Sequence, residues 1–507
     1  MSKLTKFIIF ASPLMCFSVT AISASCDVKI KNKDIEALAN NIINDNSSNK
    51  KTVETSVVET QTDTKTLADA ESQTEAKTYA DAEIQTDDVN IVTFDTTKKY
   101  RPESLAELKR LVSDEEINLG DIDTALITSF AGLFEDSRRQ DFSGIENWNT
   151  SSVTSLRDTF KKAYTFNKNI NKWGVSKVTD FSNTFNKASA FNQPLSDWNV
   201  SKGTNFEGTF AEASAFNQDI NSWNVSNGTN FKSMFYAASA FNKPLNNWRL
   251  TNAEDISYMF AKANNFNQDI NSWGVNNVTN FERVFNEGSA FNKPLNDWNV
   301  GKGTTFYQMF GAATSFNQPL NNWDMRSATT ISHMFSGCFE FNSSLSGWDL
   351  SSCINASSVF RNARNFNQDI NNWNVSNIKE MGGMFYNATL FNQPLNNWDV
   401  RKLVNARQMF GNAIAFNQDL SSWVPNALSD IKDMFRDAQS FSYNLNSWGP
   451  IFNPTGKPNS GRFVSNRDVF GRETANDNAF TGTNIYEDQK PNWYFVSSSY
   501  KSRPRNN

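Results

Sequence analysis

The stretch SAFNQDINSWNVSNGTNF, residues 214–231, recurs in variant form down most of a 507-residue chain, and each recurrence returns one tryptophan. Trp148, Trp173, Trp198, Trp223, Trp248, Trp273, Trp298, Trp323, Trp348, Trp373, Trp398, Trp423 and Trp448 stand 25 residues apart without an insertion, so thirteen tryptophans bound twelve full repeats. A fixed period of this length marks a repeat architecture, in which each unit buries its apolar face against its neighbours.

With slots counted from the tryptophan, one copy is WGVSKVTDFSNTFNKASAFNQPLSD, Trp173–Asp197, and its apolar residues fall at slots 1, 3, 6, 9, 13, 16, 19 and 23. The alternation of Trp173 and Val175 predicts a short strand. The four-and-three spacing of Phe181, Phe185 and Ala188 predicts one face of a helix of about ten residues, with Thr179 placed to cap it. The expected fold class is therefore an α/β repeat solenoid, with a short parallel strand and a short helix in each 25-residue turn. Parallel strands sit about 4.8 Å apart and helices roughly 8–10 Å, so such a stack curves with its strands inside. Slot 13 is Phe in every copy from Phe160 to Phe435, and slot 20 is Asn in all but the last, which has Ser442. The Asn column predicts a ladder that satisfies backbone groups no strand or helix reaches.

Energetics require the stacking. Burying a tryptophan contributes on the order of 4–6 kcal/mol as an upper bound. Ordering the backbone of one repeat costs about 25 kcal/mol or more. A single repeat cannot stand alone, and columns of Trp, Val, Phe and Leu shared between neighbours offset the cost.

The flanks read differently. Residues 1–25 place Lys3 and Lys6 before an apolar run from Phe7 to about Ile22 and read as a secretory signal peptide. The run ends in ISASC, which resembles the lipobox of bacterial lipoproteins, whose new N-terminal cysteine is lipidated; here that residue is Cys26, although Ser23 stands where a Leu is usual. Ordinary cleavage after small residues is the alternative. Residues 26–95 are polar and carry tandem twelve-residue copies, ETQTDTKTLADA and ESQTEAKTYADA, which predict a disordered tether or, less simply, an adapter site. Residues 96–147 contain YRPESLAELKRLV, a short amphipathic helix by its Leu105, Leu108 and Leu111 spacing, and GDIDTALITSFAGLF, a degenerate first repeat. In that repeat Ile122 replaces the tryptophan, and Phe130 and Phe134 hold the aromatic slots. The twelve repeats occupy 148–448, and 449–507 read as a C-terminal cap retaining Phe470 and Phe480, followed by a basic tail.

Composition narrows the chemistry. There are 42 Phe and 14 Trp but one His and four Cys, so aromatics supply the core and little remains for catalysis. The net charge of −5 is not gathered into a basic stripe, which argues against nucleic acid. After Cys26 only Cys338 and Cys353 follow, at small apolar slots, and they read as buried residues rather than a redox pair. His333 falls at slot 11 and reads as a surface residue. No catalytic residue, metal or cofactor is expected. The acidic positions Asp219, Asp269, Asp369 and Asp419 alternate with Pro at slot 22; they read as turn residues before a Ca²⁺ column, since a cation needs six or more converging oxygens. The NVS and NVT triplets match a glycosylation acceptor but also suit a turn after the strand.

The outward slot 2 positions are the candidate binding face: Asn199, Asn224, Arg249, Asp324, Asp349, Asn374 and Asp399. They are small, polar and weakly acidic, with pattern breaks at Arg249, Met325 and Arg326.

The fragment LSDWNV, residues 195–200, matches the strand core of leucine-rich repeats, and NVSNGTNFKSMFYAASAFNKPLNNW resembles the BspA-like branch of that class. The likeness is to the 25-residue version in mycoplasma surface lipoproteins, the DUF285 or PARCEL repeats, over about residues 120–450. It departs from standard leucine-rich repeats at slot 6, where Asn gives way to Val178, Gly203, Gly228 or Leu403. The resemblance implies a non-enzymatic protein, secreted and lipid-anchored to the outer face of the bacterial membrane. Such a protein would contact a host or cell-surface protein or glycan. The alternative is a structural or antigenically variable coat without a dedicated ligand.

Overall fold

The computed structural model describes residues 95–448 and 479–485. The expected signal peptide, Cys26, the tether as far as residue 94, Phe470 and the basic tail lie outside the described residues. The chain divides into two compact units. In the smaller, the described residues are 95–101 and 121–126, where buried Ile122 pairs with Tyr100 in a parallel bridge and Lys99 meets Asp121 at 2.6 Å.

The larger unit, residues 102–120 and 127 onward, holds the repeats. It opens with α1, Leu105–Ser113, capped by Ser104, whose Oγ accepts from the Glu107 N–H; Glu107 reaches back to the Glu103 N–H. The buried residues of α1 are Leu108 and Val112 rather than the expected Leu105 and Leu111. Arg139, 4% exposed, closes its C-terminal end by donating to the carbonyls of Val112, Asp114 and Ile117.

The repeats stack as successive coils, but the expected helix is not there. Among the described residues α1 is the one α-helix, and slots 9–16 of each coil are a run of turns. The reason is a left-handed residue at slots 11 and 15, as in Asn183 (φ 52°), Lys187 (60°), Tyr258 (59°) and Lys262 (60°). A left-handed residue every fourth position stops a helix at each turn. The spacing that suggested a helical face is the spacing of turn corners pointing inward.

Backbone accounting shows what replaces the helix. The N–H groups of Phe181, Asn183, Phe185 and Lys187 donate to Asn205, Glu207, Thr209 and Ala211 of the next coil at 2.7–2.8 Å. Those of Thr184, Asn186 and Ala188 close turns onto Phe181, Asn183 and Phe185. The Ser182 N–H is taken by the Asp180 carboxylate. In this coil every donor from slot 9 to slot 16 thus has an acceptor in its own coil or the next.

Slots 1 to 3 form no strand either. Parallel pairing is confined to one residue per coil at slot 8, running Ser155, Asp180, Asn205, Asn230 and onward to Asp430 as isolated bridges. No α-helix is present in the described coils to set the wider layer spacing that the expected curvature needs.

Three aromatic columns fill the interior. Trp rings of adjacent coils stack with centroids 5.6–6.5 Å apart. Slot 13 Phe rings repeat at 5.3–5.8 Å and slot 19 rings at 5.5–6.0 Å. Within a coil those two Phe rings lie only 3.7–4.2 Å apart. Phe130 and Phe134 begin the pattern one residue out of register, 26 residues before Leu156 and Phe160. At the other end Phe480 stacks on Phe435 at 5.5 Å while Ala479 and Thr481 accept from Phe435 and Asp437, so residues 479–485 supply part of a closing coil.

Candidate functional site

Each coil has two edges, and both must satisfy polar backbone groups. On the tryptophan edge side chains do much of this. Trp223, 2% exposed, donates its indole N–H to the Leu195 carbonyl of the preceding coil at 2.9 Å, and all thirteen tryptophans from Trp148 to Trp448 make the equivalent bond. The tryptophan is a core residue with one satisfied polar atom.

The slot 20 ladder is present. Asn192 Oδ1 accepts the Asn217 N–H, Asn217 accepts from Asn242, and the relay continues through Asn267, Asn292, Asn317, Asn342, Asn367, Asn392 and Asn417 to Ser442. It lies at the surface rather than buried: Asn242 and Asn267 are exposed and half-buried in turn.

The expected binding face is occupied with a similar duty. The side-chain oxygens of Asn199, Asn224, Asp324, Asp349, Asn374 and Asp399 each accept the backbone N–H two residues on, at 2.9–3.3 Å. These are Asx turns, and the NVS triplet is their sequence form. Asp324 and Asp399 are further held by the guanidinium groups of Arg326 and Arg401, which keep both carboxylates below their ordinary pKa. Arg249 folds back onto the carbonyls of Asn246 and Trp248. Met325 is buried. Asp219, Asp269, Asp369 and Asp419 likewise cap the N–H two residues on, and among the described residues no group of three or more His, Cys, Asp or Glu is placed to hold a metal ion.

Burial pushes the Cys353 thiol up to about 12 and the Cys338 thiol further in the same direction. Both are free and buried, and Cys338 contacts the Phe310 carbonyl.

The turn edge is different. There the slot 8 side chain, such as Asp180, takes the slot 10 N–H and backbone carbonyls take the rest, so side chains at slots 10, 11, 14 and 15 have no shared duty, and they vary. From Tyr236 to Tyr386 they form an aromatic and cationic strip that sequence reasoning missed, because a helical reading of these slots does not bring the side chains of successive coils together. Arg283 lies between Tyr258 and Tyr307, 5.3 and 5.2 Å from the ring centroids. Its Nε donates to Gln308 and its Nη1 to the Tyr258 hydroxyl, which in turn donates to Glu282 at 2.7 Å. Arg361 packs over Tyr386 at 4.1 Å and Lys262 over Tyr236 at 5.9 Å. His333, expected at the surface, is half-buried against the Tyr307 ring, and burial followed by the charges of Arg361 and Arg283 lowers its pKa. Beside this network a groove of about 400 Å³ is lined by Tyr236, Tyr258, Lys262, Arg283, Asn286 and Gln308, among others. The signal available in the sequence was the clustering of tyrosines at these slots: four of the six in residues 148–448.

No helix in the described residues is long and apolar enough to cross a membrane. No curated protein matches the chain. A family model described as Mycoplasma protein of unknown function, DUF285, matches residues 105–210, 128–248, 171–273, 242–348 and 329–448. These overlapping matches follow the coils from α1 to the last tryptophan and cover well over half of the sequence, and the chain belongs to the DUF285 family.

Proposed function

We propose that this chain is a non-enzymatic surface lipoprotein of the BspA-like, leucine-rich-repeat-related type, secreted, anchored through Cys26, and making adhesive or cell-surface contacts through its repeats. The observation that carries the reading is the division between edges. The tryptophan edge is committed to internal hydrogen bonds, while the turn edge presents Tyr and Arg side chains, types enriched in binding hot spots. The signal-like residues 1–25, the lipobox-like ISASC and the long polar tether support an anchored position.

Two measurements test it. Radiolabelled palmitate should be incorporated by the intact chain and not by Cys26→Ala. Cell or matrix binding should fall when the four coils from Trp223 to Asn322 are deleted in register. Binding that is absent from the outset favours the second reading, a coat protein without a dedicated ligand. That reading is supported by the near-identical FNQDINSW copies beginning at residues 216 and 266.

A further inference from the structure

We infer that the groove on the turn edge of the Trp223 to Trp323 coils binds a neutral oligosaccharide. The inference rests on the surface-contact reading and assigns that contact a ligand class and a place. Tyr236, Tyr258, Lys262, Arg283, Asn286, Glu287, Gln308 and Ser336 come from five consecutive coils, with Ala261, Gly311 and Ala312 providing small residues between them. A volume of about 400 Å³ suits a ligand of a few sugar rings.

The chemistry favours a sugar over a charged ligand. Each cation has a carboxylate close by: Lys262 lies 3.9 Å from Glu287, and Arg283 lies 3.7 Å from Glu282. The groove therefore carries little net charge, and a polyanion would meet Glu282 and Glu287 as well as the cations. Tyr rings offer an apolar face to the C–H side of a pyranose and a hydroxyl at the rim. Arg283 Nε and Nη1, Gln308 Oε1 and Asn286 Nδ2 are engaged within the protein, which leaves Arg283 Nη2 and Gln308 Nε2 as donors and Asn286 Oδ1 as an acceptor for sugar hydroxyls.

Arg283 is also fixed in advance. Tyr258 and Tyr307 hold its two faces, while Gln308 and the Tyr258 hydroxyl hold its edge. A ligand meeting such a group does not have to order it, which lowers the entropic cost of binding. The placement is local: Tyr236, Tyr258 and Tyr307 provide three of the five cation–π contacts among the described residues.

The test uses the full chain against immobilised neutral tri- to pentasaccharides terminating in galactose, N-acetylglucosamine or mannose. Parallel arms carry sialylated or sulfated glycans and unglycosylated host-surface peptides. Saturable binding of a neutral probe is expected, weakened about tenfold or more by Tyr258→Ala, Arg283→Ala or Gln308→Ala and unchanged by Asn224→Ala. Unchanged hydrogen-exchange protection of the Phe columns in Gln308→Ala separates a lost contact from a lost fold. Binding of only the anionic or peptide probes, binding of no probe, or neutral binding indifferent to all three groove variants overturns the assignment. If one of those outcomes occurs while the intact chain still adheres to cells, the surface-contact reading stands and only the sugar groove falls.

Discussion

The two edges of a coil meet one demand in opposite ways. On the turn edge, backbone N–H groups from slots 9, 11, 13 and 15 reach the next coil directly and slot 8 side chains cap slot 10, so the outward side chains of slots 10, 11, 14 and 15 are released from backbone pairing. On the tryptophan edge the chain returns through loops whose backbone seldom reaches a neighbour, and Trp, Asn and Asp side chains supply the missing partners. A monotonous edge is therefore one whose side chains are spent, and a variable edge is where specificity has room to reside. The regular polar residues that look like a binding surface in the sequence are structural, and the irregular ones opposite them are the better candidates for contact.

The largest test of that division is Trp223→Ala. The ring stacks on Trp198 and Trp248 at 6.1 and 6.4 Å and donates to Leu195. Its loss should cost about 3–5 kcal/mol, read as a lower denaturation midpoint. Because coils couple chiefly to nearest neighbours, hydrogen exchange should rise most in the Trp198 to Trp248 coils. A variant as stable as the parent would mean the tryptophan edge does not hold the stack.

Much of this was readable in the sequence, for a physical reason. Periodicity reports which side chains face inward whatever the backbone does, so the Trp, Phe and Leu columns and the asparagine ladder were legible from spacing alone. Backbone conformation was not. Slot 11 is Gly208 or Asn183 in some coils but Ser233, Tyr258, Arg283 and Gln308 in others, all left-handed, and the last four types do not mark that region. Stacking against two neighbours imposes the conformation, overriding local preference. The same omission hid the candidate groove, since its residues appear adjacent only once the turns are known. Arg139 was equally hidden: its partners are carbonyls of α1 and the loop after it, which no motif announces.

Slot 6 gives a sharper test within the core. A Cβ on Gly303 would lie 2.5 Å from Phe306 Cζ and 2.9 Å from Phe281 Cε2. Gly303→Ala should therefore cost about 1–3 kcal/mol by overpacking. Other coils pair Ala253 with Ile256 and Ala328 with Ile331, all buried. Adding Phe306→Ile should recover a substantial part of the loss, as a positive coupling in a double-mutant cycle. Independent, additive effects would show that the two slots do not share one space.

A matched pair compares the edges directly. Asn292 accepts from the Asn317 N–H at 3.0 Å and from the Gln318 amide at 2.9 Å, so Asn292→Ala should cost about 0.5–1.5 kcal/mol. Gln408→Ala on the turn edge should stay within about 0.5 kcal/mol. Equal losses in urea midpoints would erase the distinction.

The smallest effect is a pH dependence from His333. Its folded pKa lies below the ordinary value of 6.5 because the imidazole is half-buried and faces Arg361 and Arg283, with the Tyr307 ring on its side. Above that value the imidazole is neutral in both folded and unfolded chains and contributes no difference. As pH falls through it, the unfolded chain takes up the proton first, so stability declines until the folded pKa is passed. Most carboxylates titrate lower, which leaves about pH 7.5 to 5.5 as the window for this group. Partial exposure keeps the change small. His333→Gln retains a polar planar group without the proton and should flatten the slope of the denaturation midpoint over that range. A slope unaltered by the substitution would place the acid sensitivity in other groups than His333.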